Sequence, residues 1–222
     1  MTSQTNRSGL TDAQVEESRR EHGTNLLTPP RQTPWWKLYL EKFKDPIIII
    51  LLVATAISLI FGIIHGDFTE SLGIIFAVVI ATGVGFWQEY SAKRKFDAMR
   101  SDQDYEPVKV RRNGVVVEVT KDQLVVGDVV ILSAGDEIPA DIRLFQASDM
   151  KVSESAMTGE SVPVSKYPLE EPYTGSGFAP DFLLRGTLVS QGAGEGVVER
   201  VGDATEIGQT TRKASEETNN VT

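Results

Sequence analysis

Two stretches of this chain hold no charged side chain, Pro46 to Ile64 and Ser71 to Trp87. A helix of about 18 residues rising ~1.5 Å per residue covers ~27 Å, close to the ~30 Å hydrocarbon core of a bilayer. Helices buried in a soluble core are the competing reading, but two uncharged runs of this length within 222 residues exceed what such a core holds. The first run begins only after a long charged, proline-containing stretch, which does not fit a cleaved signal peptide. The pair predicts a transmembrane hairpin, with one helix over 46–64 and a second over 70–92. The second helix is expected to continue through Gln88, Glu89 and Tyr90 into water as a stalk.

The cations orient that hairpin. Lys37, Lys42 and Lys44 precede it and Lys93, Arg94, Lys95 and Arg100 follow it, whereas His65 to Glu70 carries Asp67 and Glu70 and no Lys or Arg. Positive residues stay on the cytosolic side, so both chain ends should face the cytosol, with Trp35, Trp36 and Trp87 as interfacial anchors. Ala54, Ser58 and Gly62 form one small-residue stripe and Ala77, Ala81 and Gly85 another. Such stripes allow close helix approach, either to each other or to further helices. Neither span has a central carboxylate or amide, so these two helices alone offer a cation no oxygen ligands.

A cytosolic helical segment, 1–45, precedes the hairpin. Leu10-Thr11-Asp12-Ala13-Gln14-Val15 reads as a capping box, Thr11 being the N-cap and Leu10 placed to staple against Val15. The helix should run to about His22, with Arg19, Arg20 and His22 suiting its C-terminal dipole, Gly23 as a left-handed cap and Pro29-Pro30 barring continuation. Beyond Asp102 the character changes. Val108 and Val110, then Asn113-Gly114, then Val115, Val117 and Val119 predict two strands about a type I′ turn. Further short strands are expected at Val129–Leu132, Ile142–Phe145, Gly186–Ser190 and Gly196–Val201, which favours a compact β sandwich or distorted jelly roll. Gly192-Ala193-Gly194-Glu195-Gly196 superficially suggests a nucleotide loop, but no Lys-Ser/Thr pair or helix follows, and these read as turn glycines. Residues 167–181 form an exposed loop, and from Glu206 the chain is polar and helix-compatible.

Charge and composition exclude several chemistries. The net charge of −9 comes from residues 101–222, where 11 Lys plus Arg stand against 21 Asp plus Glu, which argues against a nucleic-acid partner. With no cysteine there is no disulfide, thiolate nucleophile or cysteine-bound metal. The two histidines, His22 and His65, are on separate segments and unsuited to a triad or a metal cluster.

One polar turn stands out, Thr158-Gly159-Glu160-Ser161, inside Ser153-Glu154-Ser155-Ala156-Met157-Thr158-Gly159-Glu160-Ser161-Val162-Pro163-Val164. The glycine permits a tight turn with Glu160 at its tip, and Thr158 and Ser161 can bond the local backbone. A carboxylate held this way could orient a water.

These residues do not stand alone. Gly127-Asp128 and Gly135-Asp136-Glu137-Ile138-Pro139-Ala140-Asp141-Ile142-Arg143-Leu144 precede them, and Gly192, Gly194, Gly196, Gly202, Thr205 and Gly208 follow. The ordered set resembles the actuator domain of P-type cation-transporting ATPases, and the chain resembles their N-terminal part, nearest the calcium-pump branch. Gly9-Leu10-Thr11, Arg20, His22-Gly23-Thr24-Asn25 and Leu27 are similar to the family's N-terminal segment, and Trp87-Gln88-Glu89 to the cytosolic end of its second helix.

The resemblance implies an α+β membrane protein: a two-helix transmembrane hairpin, a cytosolic all-β actuator domain over 102–213 (a distorted jelly roll or double-stranded β-helix), and a linker, 214–222, toward a third transmembrane helix. It assigns Glu160 the positioning of water that hydrolyses an aspartyl phosphate, with Gly159, Thr158 and Ser161 shaping the loop. Family pumps carry that aspartate in Asp-Lys-Thr-Gly, which this sequence lacks, as it lacks a nucleotide-binding domain. The chain is therefore expected to be a fragment of an ATP-driven pump, inactive alone, with ATP and Mg²⁺ implied for the whole protein and none bound here. Its implied partners are the lipid bilayer, the pump's missing phosphorylation and nucleotide-binding domains and a transported cation, Ca²⁺ on the nearest branch. The implied location is multi-pass in the plasma membrane. Family members usually have aspartate where this chain has Ser153. Pumps for protons, magnesium or sodium and potassium stay open, as does a non-catalytic membrane protein that uses the domain for binding or regulation.

Overall fold

Backbone amides and carbonyls must find partners wherever water is excluded, and the chain meets that demand differently in its two halves. A computed structural model describes residues 7–28, 34–66 and 68–220, so Pro29-Pro30 and Asp67 lie outside the described residues. The chain falls into two units, residues 31–101 and residues 1–30 with 102–222.

The first unit is helical. α2 (Trp35–Glu41) leads through a 3₁₀ turn to α3 (Pro46–His65), and α4 (Thr69–Asp104) follows. Asp45 caps α3 by accepting a bond from Ile47 N at 2.8 Å, and Pro46 occupies the first helical turn, where its missing N–H costs nothing. Both α3 and α4 are long and apolar enough to cross a membrane. Their outer faces are bare: Ile63 is 73% and Leu72 70% exposed, an apolar surface that water would not tolerate at this extent. The buried positions are Ile48, Thr55 and Gly62 on α3 and Ser71, Val78 and Thr82 on α4. Ser58 Oγ meets Ser71 Oγ at 2.9 Å, joining the two helices, and Thr55 and Thr82 return their hydroxyls to backbone carbonyls one turn back. The α3 small-residue stripe thus lies toward this contact, whereas Ala77 and Ala81 are exposed, because the α4 packing face is set by Ser71, Val78 and Thr82 instead. Lys42 pairs with Glu89, and Tyr39 packs edge-on against Phe86. α4 extends well past Tyr90, to Asp104.

In the second unit α1 (Asp12–His22) starts at the expected reciprocal capping box, Thr11 with Gln14. Gly23 ends it with positive φ but extended ψ, not in the left-handed helical well. The strands are β1 (Pro107–Arg112), β2 (Val115–Thr120), β3 (Val129–Ser133), β4 (Asp141–Ser153), β5 (Val164–Ser165), β6 (Phe182–Leu183) and β7 (Leu188–Arg200). All pairings are antiparallel, in the order β2-β1-β3-β7-β4-β5 with β6 on β4. Asn113 and Gly114 take the positive φ angles of the expected hairpin turn. The chain also forms α5 (Ser155–Thr158) and α6 (Glu206–Asn220). The fold is the expected mixture of two long apolar helices and an antiparallel β module.

Two expectations change. The strands around Ile142 and between Gly186 and Val201 are not short: β4 and β7 each run 13 residues and remain paired through several bulges. And Gly192, Gly194 and Gly196 do not mark a turn between strands, for they sit inside β7: Gly194 and Gly196 lie opposite both β3 and β4, and Gly192, at φ 76°, lies at a bulge in the β4 pairing. The reason is close approach. A Cβ on Gly196 would lie 2.4 Å from Ile142 Cγ2 and 2.7 Å from Arg143 O, so a side chain there would push the two central strands apart. The core over this sheet includes Val110, Leu124, Val130, Leu132, Ile138, Ile142, Leu183 and Val198, each worth roughly 1.5–3 kcal/mol for a fully buried side chain.

Candidate functional site

β4 delivers the chain to Ser153 and β5 takes it back, with Val152 opposite Val164 and Lys151 opposite Ser165. Between these strands the residues of α5 wind into one helical turn, because the carbonyl of Glu154 accepts from Met157 N and Thr158 N, both at 2.9 Å. The Thr158 hydroxyl adds a third bond to the same carbonyl at 3.1 Å. Gly159 then takes the left-handed conformation, φ 76° and ψ −4°, and closes the turn by donating to Ser155 O at 3.0 Å. Among the described residues nothing lies within 4 Å of where a Cβ would sit, so glycine is required by backbone conformation and not by space. The reversal carries Glu160 outward, its N–H donating to Thr158 Oγ1 at 3.3 Å. Thr158, Gly159, Glu160 and Ser161 are all exposed, on one loop. An outward carboxylate on a hydrogen-bonded turn can accept a proton from, or orient, a water brought by an approaching surface. Among the described residues no group of three His, Asp or Glu is placed to hold a metal ion.

The base of the loop is of the opposite character. Glu154 and Lys166, the residues at its two stems, are both buried, and Lys166 Nζ stands 2.5 Å from Glu154 Oε1. The contact is an ion pair outside hydrogen-bonding angles, while Nζ donates to Phe182 O at 2.9 Å. Reading the sequence by motif passed over Lys166. A signal was present in the opposite charges that bracket the polar turn on either side of the Val162-Pro163-Val164 return. Ser153 Oγ lies 3.1 Å from Ser155 Oγ.

The other signature residues serve the scaffold. Asp128 is fully buried and takes bonds from Arg112 Nε at 2.8 Å and Val125 N at 3.0 Å, and Asp136 accepts from Ser133 N at 2.8 Å. Asp141 accepts from Arg185 N at 3.0 Å and Glu206 N at 2.9 Å, but its burial outweighs them and pushes its pKa up. Glu195 is held below the usual carboxylate range by the paired Arg111 guanidinium, which reaches both its oxygens at 2.7 Å. Asp203 is lowered by bonds from the Thr28 hydroxyl and amide. Asn25, fully buried, donates to Lys121 O at 3.0 Å and Pro139 O at 2.9 Å and accepts from Arg185 Nη1 at 2.8 Å and Gly202 N at 3.0 Å. It ties the segment after α1 into the β module.

Residues 103–215 match the P-type ATPase actuator domain, and residues 2–58 match the cation transporter/ATPase N-terminus. A calcium-transporting ATPase of Listeria monocytogenes is 37% identical over 90% of this chain. Calcium-transporting ATPase type 2C member 2 of Homo sapiens is 35% identical and type 2C member 1 of Mus musculus 36% identical, each over 90% of the chain. The chain spans only 21–22% of the length of these relatives. The exposed Glu160 loop and the sheet beneath it lie within the residues matched to the actuator domain, and with both matches in sequence register this chain belongs to the P-type ATPase family.

Proposed function

We propose that this chain is the N-terminal part of an ATP-driven calcium transporter, in which Glu160 positions the water that hydrolyses an aspartyl phosphate carried by another domain of the same pump. The observation that carries the reading is the exposure of Glu160 at the tip of a turn closed by left-handed Gly159. Hydrolysis of an acyl phosphate needs a water held in line and relieved of a proton, work worth about 10²–10⁴-fold for a positioned base. Gly159, without a side chain, lets the loop backbone approach the phosphate, and Thr158 and Ser161 shape the turn. ATP and Mg²⁺ belong to the phosphorylation and nucleotide-binding domains of that pump, and the ion ligands to its further helices. Calcium is the favoured cargo because the relatives named above are calcium-transporting ATPases. The hairpin sits in the plasma membrane with both ends of this segment cytosolic, which the lysines flanking the two apolar helices favour.

The test is Glu160→Gln in the complete pump. The phosphoenzyme should form from ATP at the parental rate and then persist, with hydrolysis slowed about 10²–10⁴-fold. Dephosphorylation at the parental rate would refute the assignment.

A further inference from the structure

The buried pair at the base of the loop does not touch a reacting group, yet it is where the loop's geometry is decided. Its two charges are withdrawn from water: the Lys166 side chain is 1% and that of Glu154 8% exposed. Burying such a pair stabilises little by itself compared with well-packed apolar residues, so stability alone is a poor reason for having one here. What the pair does supply is a fixed relation between the stems. Glu154 contributes through both ends: its carbonyl gathers Met157 N, Thr158 N and Thr158 Oγ1, which define the helical turn, while its carboxylate faces Lys166. Lys166 in turn is fixed by Nζ to Phe182 O and by its own N–H to Met150 O at 2.9 Å, both within the sheet region. The turn that aims Glu160 therefore hangs from a residue whose position is referred, through one ion pair, to β4 and β6.

We infer that Glu154 and Lys166 are positioning residues for Glu160, holding the loop in the orientation in which its carboxylate meets the incoming phosphate and water. This inference rests on the proposed role of Glu160. A misplacement of about 1 Å at such a group costs about 10²-fold in rate, so loosening the pair should slow phosphoenzyme hydrolysis by about 10- to 100-fold.

The experiment uses the complete pump with Lys166→Met and Glu154→Gln, each alone and each combined with Glu160→Gln. Glu154→Gln is isosteric, and although it removes the counter-charge of Lys166 it leaves an amide oxygen facing Nζ, which also keeps its bond to Phe182 O, so it reports even where Lys166→Met, which leaves a buried carboxylate alone, fails to fold. The expected result is a split between partial reactions, with phosphoenzyme formation from ATP unchanged and hydrolysis slowed. In the Glu160→Gln background neither substitution should slow hydrolysis further, because a positioning residue acts only through the group it positions. A merely structural pair would lower the yield of folded pump and leave hydrolysis per folded molecule untouched. A variant that forms phosphoenzyme normally and hydrolyses it at the parental rate overturns the inference, as does an equal slowing on top of Glu160→Gln. If Glu160→Gln alone hydrolyses normally, the reading of Glu160 falls first, and that outcome is distinct from both.

Discussion

Replacing Asn25 with Ala should release the N-terminal segment from the β module without unfolding the module. The amide side chain is fully buried and makes four bonds, donating to Lys121 O and Pro139 O and accepting from Arg185 Nη1 and Gly202 N. Each neutral bond contributes about 1 kcal/mol net, and one to a charged guanidinium about 1.5–3 kcal/mol, so their removal totals roughly 4–6 kcal/mol. Water entering the vacated space would restore part of this, leaving ~3 kcal/mol. Since about 1.4 kcal/mol is a factor of ten, the opening equilibrium of the segment should rise by ~10²-fold. Hydrogen exchange of the intact chain in detergent reads this directly. Peptides covering residues 12–28 should lose protection by about that factor, while those covering β4 and β7 should change little, because local opening need not cross the global barrier. Protection over 12–28 that stays within about threefold of the parent would refute the reasoning, since it would mean that the four bonds are not what holds the segment.

Gly196→Ala places a Cβ against Ile142 Cγ2 and Arg143 O, where the carbonyl cannot yield, and overpacking of this kind costs about 1–3 kcal/mol. Thermal unfolding should fall by roughly 2–12 °C, at about 2–4 °C per kcal/mol for a unit of this size. Glu195 has a depressed folded pKa, so its pairing with Arg111 stabilises above the ordinary carboxylate value and is lost as pH falls through the lower folded value. Arg111→Met should therefore flatten the acid limb of a urea-midpoint profile below the ordinary carboxylate pKa, and an unchanged acid limb would count against the pairing. Because the chain has no cysteine, Phe68→Cys provides a single label site between the two apolar helices. A membrane-impermeant maleimide should modify it from outside intact cells, and labelling only after lysis would reverse the orientation.

How far the sequence reveals the molecule depends on whether a residue's partner is local. The capping box at Thr11, the Asn113-Gly114 turn, the two apolar helices and the Gly159 reversal all arise from neighbours a few residues apart, and each is visible in the order of residues. The β7 glycines mislead for the opposite reason. Their sequence neighbours suggest a turn, and only β4, far back in the chain, explains why no side chain fits: Ser148 and Asp149 crowd Gly192, Met150 and Gln146 crowd Gly194, and Ile142 and Arg143 crowd Gly196. Asn25 is legible as part of a family pattern but not as a four-bond anchor, since its partners at Lys121, Pro139, Arg185 and Gly202 come together only in the folded sheet.

The same distinction separates the two halves of the candidate site. The tip, Thr158 to Ser161, is built from bonds within the loop itself, so a short motif suffices to specify it. The base depends on a lysine beyond the return strand and on the Phe182 carbonyl, and a motif confined to the loop does not contain it. An exposed carboxylate without a fixed base would sample many orientations and lose the advantage of being held, whereas a fixed base without exposure would reach no phosphate. A tip in water set on stems held by buried charge would meet both requirements of the proposed role, since such a loop could be turned toward a separate domain without a change in its own shape.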